Sequence, residues 1–323
     1  MKILIITGGM TLPEVTDEEL EQIYVASGEG EIVVAGSPDE AKAHWPDAEV
    51  ALGTLDRETF LTAKNLRWLH CVSAGVDMLL FPEMVESEVA LTGEKGLVGE
   101  HLADHAFGLL LSLTRQLKRP ILEAPKIWHL RAPLRKVMVE LTGLTMGIVG
   151  LGGTGRAVAK RARAFGMECI AVDIEDVPPC PDVSEVWGME RFHDFLAASD
   201  VVTICCPLTK QTRGMFDDEA FASMRPTAFL VNVTRGPIVD PEAITKALNV
   251  GGQIAGAGLD VTPIEPLPED HPLWEMPNVV ITPHTAGASQ FRARRNVARF
   301  IRNLGHYRAG RPLEGQIDKQ KGY

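Results

Sequence analysis

The sequence predicts an α/β protein built on doubly wound parallel sheets, and three observations carry that expectation. Short apolar runs recur along the whole chain, at 2–7, 32–35, 50–52, 68–72, 146–150, 168–172, 201–206, 228–233, 254–261 and 279–282, separated by turn residues and segments of helical period. Within 144–173 a strand, a glycine-rich turn, a helix and a second strand follow one another in about 30 residues. Three later strands run into Arg235, Glu265 and His284, and the carboxyl ends of strands are where open α/β sheets face a ligand.

In chain order, the runs before residue 98 alternate with helical or turn-rich stretches and form a first unit. Ser73-Ala74-Gly75-Val76-Asp77 follows a strand and offers consecutive backbone N–H groups at a glycine turn. Such a nest suits a small anion, although a plain strand-to-helix turn explains the local sequence equally well. From Gly99 a helix runs through His101 and His105 into Phe107-Gly108-Leu109, and 115–140, where Arg, Lys, Pro and Trp128 mix, reads as a broken helical connection. Beyond residue 173 helices are expected at 190–198 and 217–224. Asp240 caps a further helix with Pro241 at its first position, and Gly251-Gly252 close it. About six strands in this central part make a full dinucleotide-binding sheet. The Arg-rich helix 291–304 reads most simply as a solvated face.

The central turn, Gly150-Leu151-Gly152-Gly153-Thr154-Gly155, fits G-x-G-x-x-G. Gly150 makes the tight turn, Gly152 lets the backbone approach a pyrophosphate, Gly155 lets helix and strand pack closely, and the helix's first N–H groups hold the anion. Asp173 lies 18 residues after Gly155 (173 minus 155), at the end of the second strand, where a carboxylate takes ribose hydroxyls. A nucleoside-triphosphatase phosphate loop is excluded, because Arg156 and Ala157 stand where it needs Lys and then Ser or Thr. Asp173 is followed by Glu175 and Asp176 with no adjacent Arg or Lys for a ribose 2′-phosphate, so NAD is favoured over NADP.

Composition sets the remaining bounds. A net charge of −11 over 323 residues argues against a nucleic-acid-binding surface spread over the protein. No apolar stretch approaches the ~18 residues of a membrane span, and the short apolar start reads as a strand rather than a signal-peptide core. Cys71, Cys169, Cys180, Cys205 and Cys206 show neither metal nor redox spacing, which suits reduced thiols and a cytoplasmic location. His101 and His105, four apart, lack the Glu and third ligand of a zinc helix, so no metal is expected. These two read instead as surface or interdomain histidines.

At the three strand ends, Arg suits a planar, bidentate grip on a carboxylate. His exchanges a proton near neutral pH, and a neighbouring Glu carboxylate stabilises its charged form. Together these residues suggest an acid, a carboxylate clamp and a tuning base beside a hydride carrier. The segments VNVTRGPIVD (231–240) and GAGLDVTPIEPLPEDHPLWEMPNVVITPHTAG (256–287), the glycine turn, SAGVD (73–77) and CPLT (206–209) resemble the D-isomer-specific 2-hydroxyacid dehydrogenase family over nearly the whole chain.

The resemblance implies two Rossmann-like domains: a discontinuous substrate domain from 1–98 and 287–323, an inserted NAD-binding domain over 99–286, and an active site in the cleft between them. It implies Arg235 as substrate-carboxylate residue, His284 as acid and base, and Glu265 as its partner. The backbone at Ala74, Gly75 and Val76 would hold the substrate carboxylate. Asp260 would lie near the nicotinamide, and Thr154, Gly155, Arg156, Cys206, Pro207, Thr212 and Val233 would line the dinucleotide. Family members usually pair as homodimers through their nucleotide domains. Thr262 stands where the family commonly has Phe, Cys205 where it has His or an aliphatic residue, and Thr154 where it has an aliphatic one.

The expected activity is NAD-dependent interconversion of a small (R)-2-hydroxy acid and its 2-oxo acid. Specificity should come from loops near 53–54 and 76–80 and from the region of Trp128. A formate dehydrogenase would carry Gln at Glu265. Phosphite oxidation on the same site and an NAD-sensing, corepressor-like binding protein are the alternatives.

Overall fold

The computed structural model describes residues 1–323. Two sheets organise it, and the chain divides into a discontinuous unit, Met1–Val98 with Ala288–Tyr323, and a central unit, Gly99–Gly287.

In the discontinuous unit β1 (Lys2–Ile6), β2 (Glu31–Ala35), β3 (Val50–Gly53), β4 (Trp68–Cys71) and β5 (Ala90–Thr92) form a five-stranded sheet in the order β2-β1-β3-β4-β5. Every pairing is parallel. Helices cover both faces of such sheets, so their inner strands are nearly all apolar, and every residue of β3 and β4 is buried. The helix Arg292–Arg308 returns to this sheet and buries Val297, Phe300 and Leu304 against Ile3, Ile5 and Trp68.

The expectation of a simply solvated Arg-rich helix is corrected here. Residues 292, 296, 299 and 303 recur at helical spacing on one stripe, and Asn296, Arg299 and Asn303 are buried. Arg292 pairs with the buried carboxylate of Glu94. Arg299 donates to the carbonyls of Gly93 (2.9 Å) and Lys95 (2.7 Å), and Asn303 donates to Glu314 O (2.9 Å). The stripe therefore satisfies backbone groups of the 93–95 loop and the 314 turn, while Arg302 on another face meets Glu314.

In the central unit β6 (Thr145–Val149), β7 (Glu168–Val172), β8 (Glu185–Trp187), β9 (Val201–Ile204), β10 (Phe229–Asn232), β11 (Gly256–Leu259) and β12 (Val279–Ile281) form a seven-stranded sheet ordered β12-β11-β10-β9-β6-β7-β8. All six pairings are parallel. The order reverses between β6 and β9, which is the switch point where such sheets open a crevice at their carboxyl ends. Sequence periodicity overlooked β5 and β8, two three-residue edge strands.

The helix Gly99–Thr114 lies against β10, β11 and β12. Its seat depends on two glycines in β11: a Cβ on Gly258 would sit 2.7 Å from the Leu109 Cβ, and one on Gly256 would meet the Leu113 side chain at 3.5 Å. The contacts run 113 on 256 and 109 on 258, so helix and strand are antiparallel in register.

Candidate active site

The glycine turn forms where β6 ends. Gly150 has φ +93°, a conformation that favours glycine, and a Cβ there would lie 2.9 Å from the Cys206 backbone. A Cβ on Gly155 would lie 2.2 Å from Gly150 O, so strand and helix touch at that point. At Gly152 a Cβ would meet nothing within 4 Å, which leaves the approach to the helix end open. The helix starts at Gly153, with Gly152 as an N-cap that makes no side-chain bond. Its first N–H groups therefore face that open approach, and the cradle fits a pyrophosphate.

Asp173 follows β7, and its two carboxylate oxygens accept the amides of Leu151 (2.7 Å) and Glu175 (3.0 Å). The carboxylate thus ties the glycine turn to the loop after β7. Arg156 adds what local sequence could not show, since its Nη2 reaches Pro178 O at 3.4 Å and brings a cation to the same loop. Past β9, the Thr212 hydroxyl donates to Pro207 O (2.8 Å) and accepts Thr209 N (2.8 Å), closing the 207–212 loop. Cys206 is buried and its thiol is pushed up to about 12 by burial, so it is a neutral wall. Burial pushes the Cys205 thiol up as well. Val233, also buried, continues β10 toward Thr234 and Arg235.

The registers Asn232↔Leu259 and Leu259↔Ile281 end β10, β11 and β12 level with one another. The residues that follow, Arg235, Asp260 to Glu265 and His284, therefore leave the same edge of the sheet. Arg235 is half-buried; its Nη1 donates to Thr234 O (2.9 Å), and Asn232 Nδ2 donates to Arg235 O (3.0 Å). His284 Nδ1 donates to Glu265 Oε2 at 2.8 Å, while Glu265 Oε1 accepts the Thr262 amide at 3.1 Å. Thr262 also closes this turn from its side chain, donating to Ile264 O at 2.7 Å. With Nδ1 committed to Glu265, Nε2 is the imidazole nitrogen left to meet a ligand.

His284 has φ +54°, an uncommon backbone state for a residue with a Cβ. Such a state costs about 1–3 kcal/mol and persists only where its surroundings over-determine it. Asp260 supplies those surroundings. Its main-chain oxygen accepts His284 N (2.8 Å). Its Oδ1 accepts the Thr282 hydroxyl (2.7 Å) and Thr285 N (2.9 Å), and its Oδ2 accepts Ala286 N (2.8 Å). His105 Nε2 lies 2.8 Å from Thr282 Oγ1 and 3.2 Å from Asp260 Oδ1. Burial raises the Asp260 carboxyl, but bonds from His105, Thr282 and the amides of Ala286 and Thr285 outweigh it and hold the group down to about 2. The stability these bonds give is present above the ordinary carboxyl range and is lost as pH falls through about 2. Asp260 thus turns its carboxylate inward to hold the His284 turn. Thr282 and His105 belong to the same constellation; the sequence did not single out Thr282, and it marked His105 only as a surface or interdomain histidine.

In the discontinuous unit, the Ser73 hydroxyl donates to Gly75 O (2.7 Å) and Leu79 N donates to Val76 O (2.8 Å). The amides of Ala74, Gly75 and Val76 donate to no acceptor within that unit. Three successive main-chain donors are thus left open at this turn.

Residues 107–286 match the family model described as D-isomer specific 2-hydroxyacid dehydrogenase, NAD binding domain. A glyoxylate reductase of Thermofilum pendens is 39% identical over 263 residues, covering 77% of this chain and 74% of its own. A D-isomer specific 2-hydroxyacid dehydrogenase family protein of Aeromonas salmonicida superposes with a TM-score of 0.80 at 27% identity, over 98% of this chain and 99% of its own. A D-isomer specific 2-hydroxyacid dehydrogenase of Xanthobacter autotrophicus, solved with NADPH and MES, superposes with a TM-score of 0.81 at 27% identity, over 99% of each chain.

Proposed function

The chain belongs to the D-isomer specific 2-hydroxyacid dehydrogenase family, and on that basis we propose that it reduces a small 2-oxo acid to the (R)-2-hydroxy acid with NADH, using Arg235, Glu265 and His284. The family interconverts 2-oxo and 2-hydroxy acids with a nicotinamide cofactor. The observation that carries the assignment of residues is the His284–Glu265 bond of 2.8 Å at a strand edge that also releases Arg235.

Bound NADH supplies the hydride for C2 of the substrate. Gly152 leaves room for its pyrophosphate, with Gly150 and Gly155 shaping the turn, the amides of Thr154 and Gly155 at the helix start, the Arg156 side chain by the 173–178 loop and Asp173 at the adenosine ribose. Cys206, Pro207, Thr212 and Val233 wall the crevice further along. Arg235 grips the substrate carboxylate in its planar fork and orients the carbonyl. We assign a share of that carboxylate to the amides of Ala74, Gly75 and Val76. His284 holds a proton on Nε2 and delivers it to the developing alkoxide. Glu265 accepts from Nδ1, fixes the ring's orientation and stabilises the charged imidazole before transfer. In the oxidative direction His284 takes the proton back.

NAD is favoured because the Asp173 carboxylate stands where a 2′-phosphate would bring like charge. NADH should therefore exceed NADPH in kcat/KM by roughly tenfold or more, since like-charge juxtaposition costs more than ~1.4 kcal/mol. Arg156, near the same loop, is the residue that would be responsible for the opposite preference, so NADPH winning the side-by-side comparison would refute this assignment.

A homodimer is part of the proposal. The connection between the Gly99–Thr114 helix and β6 exposes three large apolar side chains, Ile121 (73%), Leu122 (72%) and Trp128 (80%), and we take this segment as the pairing surface. Light scattering should give a mass of twice 35.2 kDa, about 70 kDa, and a monomer at micromolar concentration would contradict it. No helix is long and apolar enough to cross a membrane; the proposal of a cytoplasmic location rests instead on five cysteines that all stay free thiols.

A further inference from the structure

His105 lies outside the assigned triad, yet the helix register delivers it to the turn that carries His284. Leu113 meets Gly256 and Leu109 meets Gly258, so the next residue up the antiparallel helix, His105, arrives over Asp260, two residues further along the strand. The hydroxyl proton of Thr282 goes to Asp260 Oδ1. Thr282 Oγ1 therefore accepts from His105 Nε2–H at 2.8 Å, with Asp260 Oδ1 as a second acceptor at 3.2 Å. From Asp260 the connection continues into the amides of Thr285 and Ala286, on the far side of His284.

We propose that His105 is a positioning residue for proton transfer at His284, acting through Thr282 and Asp260 to keep the 282–286 turn in the left-handed state that presents the imidazole to Glu265. This inference rests on the reading of His284 as the acid. A role in merely anchoring the helix is a poor alternative, because the helix is already seated by Leu102, Ala106, Leu109, Leu110 and Leu113, all buried. The histidine side chain itself is a quarter exposed. Either the neutral Nε2–H tautomer or the imidazolium donates the bond, so the role does not depend on the charge of His105.

The test uses the full chain labelled with ¹⁵N-histidine, in which the Nδ1–H proton of His284 held by Glu265 gives a low-field resonance assigned by its loss in His284→Gln. His105→Leu should lose that resonance to solvent exchange and lower kcat by about 10- to 100-fold, the scale of a displaced catalytic group, with NADH affinity unchanged. His105→Gln should restore both, because the glutamine Nε2 stands the same number of bonds from Cα and donates to the same oxygens. Thr282→Val, which removes only the hydroxyl link, should reproduce the loss, and it carries the test if His105→Leu does not fold. The proposal is overturned if resonance and kcat are unaltered in His105→Leu or Thr282→Val, or if His105→Gln is no better than His105→Leu. Should the wild-type protein reduce no 2-oxo acid while the resonance follows the expected pattern, positioning by His105 stands and the dehydrogenase reading fails.

Discussion

Replacing His284 by Gln is expected to lower kcat for 2-oxo acid reduction by about 10²- to 10⁴-fold, the usual worth of a positioned acid, while the NADH dissociation constant stays as it was. The substitution keeps a side chain of similar reach that can donate to Glu265, but it leaves no group able to hand a proton to the alkoxide. The proposed cofactor cradle is Gly150 to Arg156 with Asp173, and none of the bonds that shape this turn involves the His284 side chain. Steady-state rates alongside a fluorescence titration of NADH separate the two effects. Retained turnover would remove His284 from its assigned role, and a matched loss of NADH affinity would show that the variant had disturbed the fold of the edge instead.

Arg235→Lys should act differently. A charge remains, but the two parallel N–H bonds to a carboxylate cannot be made by an ammonium. The loss of a charge-assisted hydrogen bond is worth ~1.5–3 kcal/mol, so kcat/KM should fall roughly ten- to a hundred-fold, with KM for the 2-oxo acid carrying much of the change. Asn232 Nδ2 holds the Arg235 main chain from below, so the backbone should not move. A KM equal to wild type would show that the carboxylate is bound elsewhere, with the amides of Ala74 to Val76 the next place to look.

Much of this arrangement was legible in the sequence, for a physical reason. Strands buried on both faces are nearly all apolar, so 201–206 and 228–233 announced β9 and β10 without any alternation to read. Glycines required by close approach marked the turn after β6, and polar residues just past apolar runs marked the strand ends from which Arg235, Glu265 and His284 leave. What stayed hidden depends on contacts between distant segments. β5 and β8 are too short and too partly exposed to stand out. The Arg292, Asn296, Arg299, Asn303 stripe resembles a solvated face until the 93–95 loop supplies its carbonyls. The N–H of His105 finds Thr282 only because Gly256 and Gly258 let the helix settle on β11. That glycine pair in a strand was the available signal, since glycine inside a strand marks close approach of another element. Thr262, a departure from the family pattern, turned out to hold Glu265 and its turn together.

The central claim is that this site transfers hydride to a 2-oxo acid, and its most direct test is NADH oxidation followed by absorbance against 2-oxo acids of increasing side-chain size, from glyoxylate and hydroxypyruvate through pyruvate to branched and aromatic members. Turnover with at least one size class and formation of the (R)-2-hydroxy acid are expected. Tight NADH binding with no turnover on any member of the series would contradict it and move the site toward phosphite oxidation or a non-catalytic sensor.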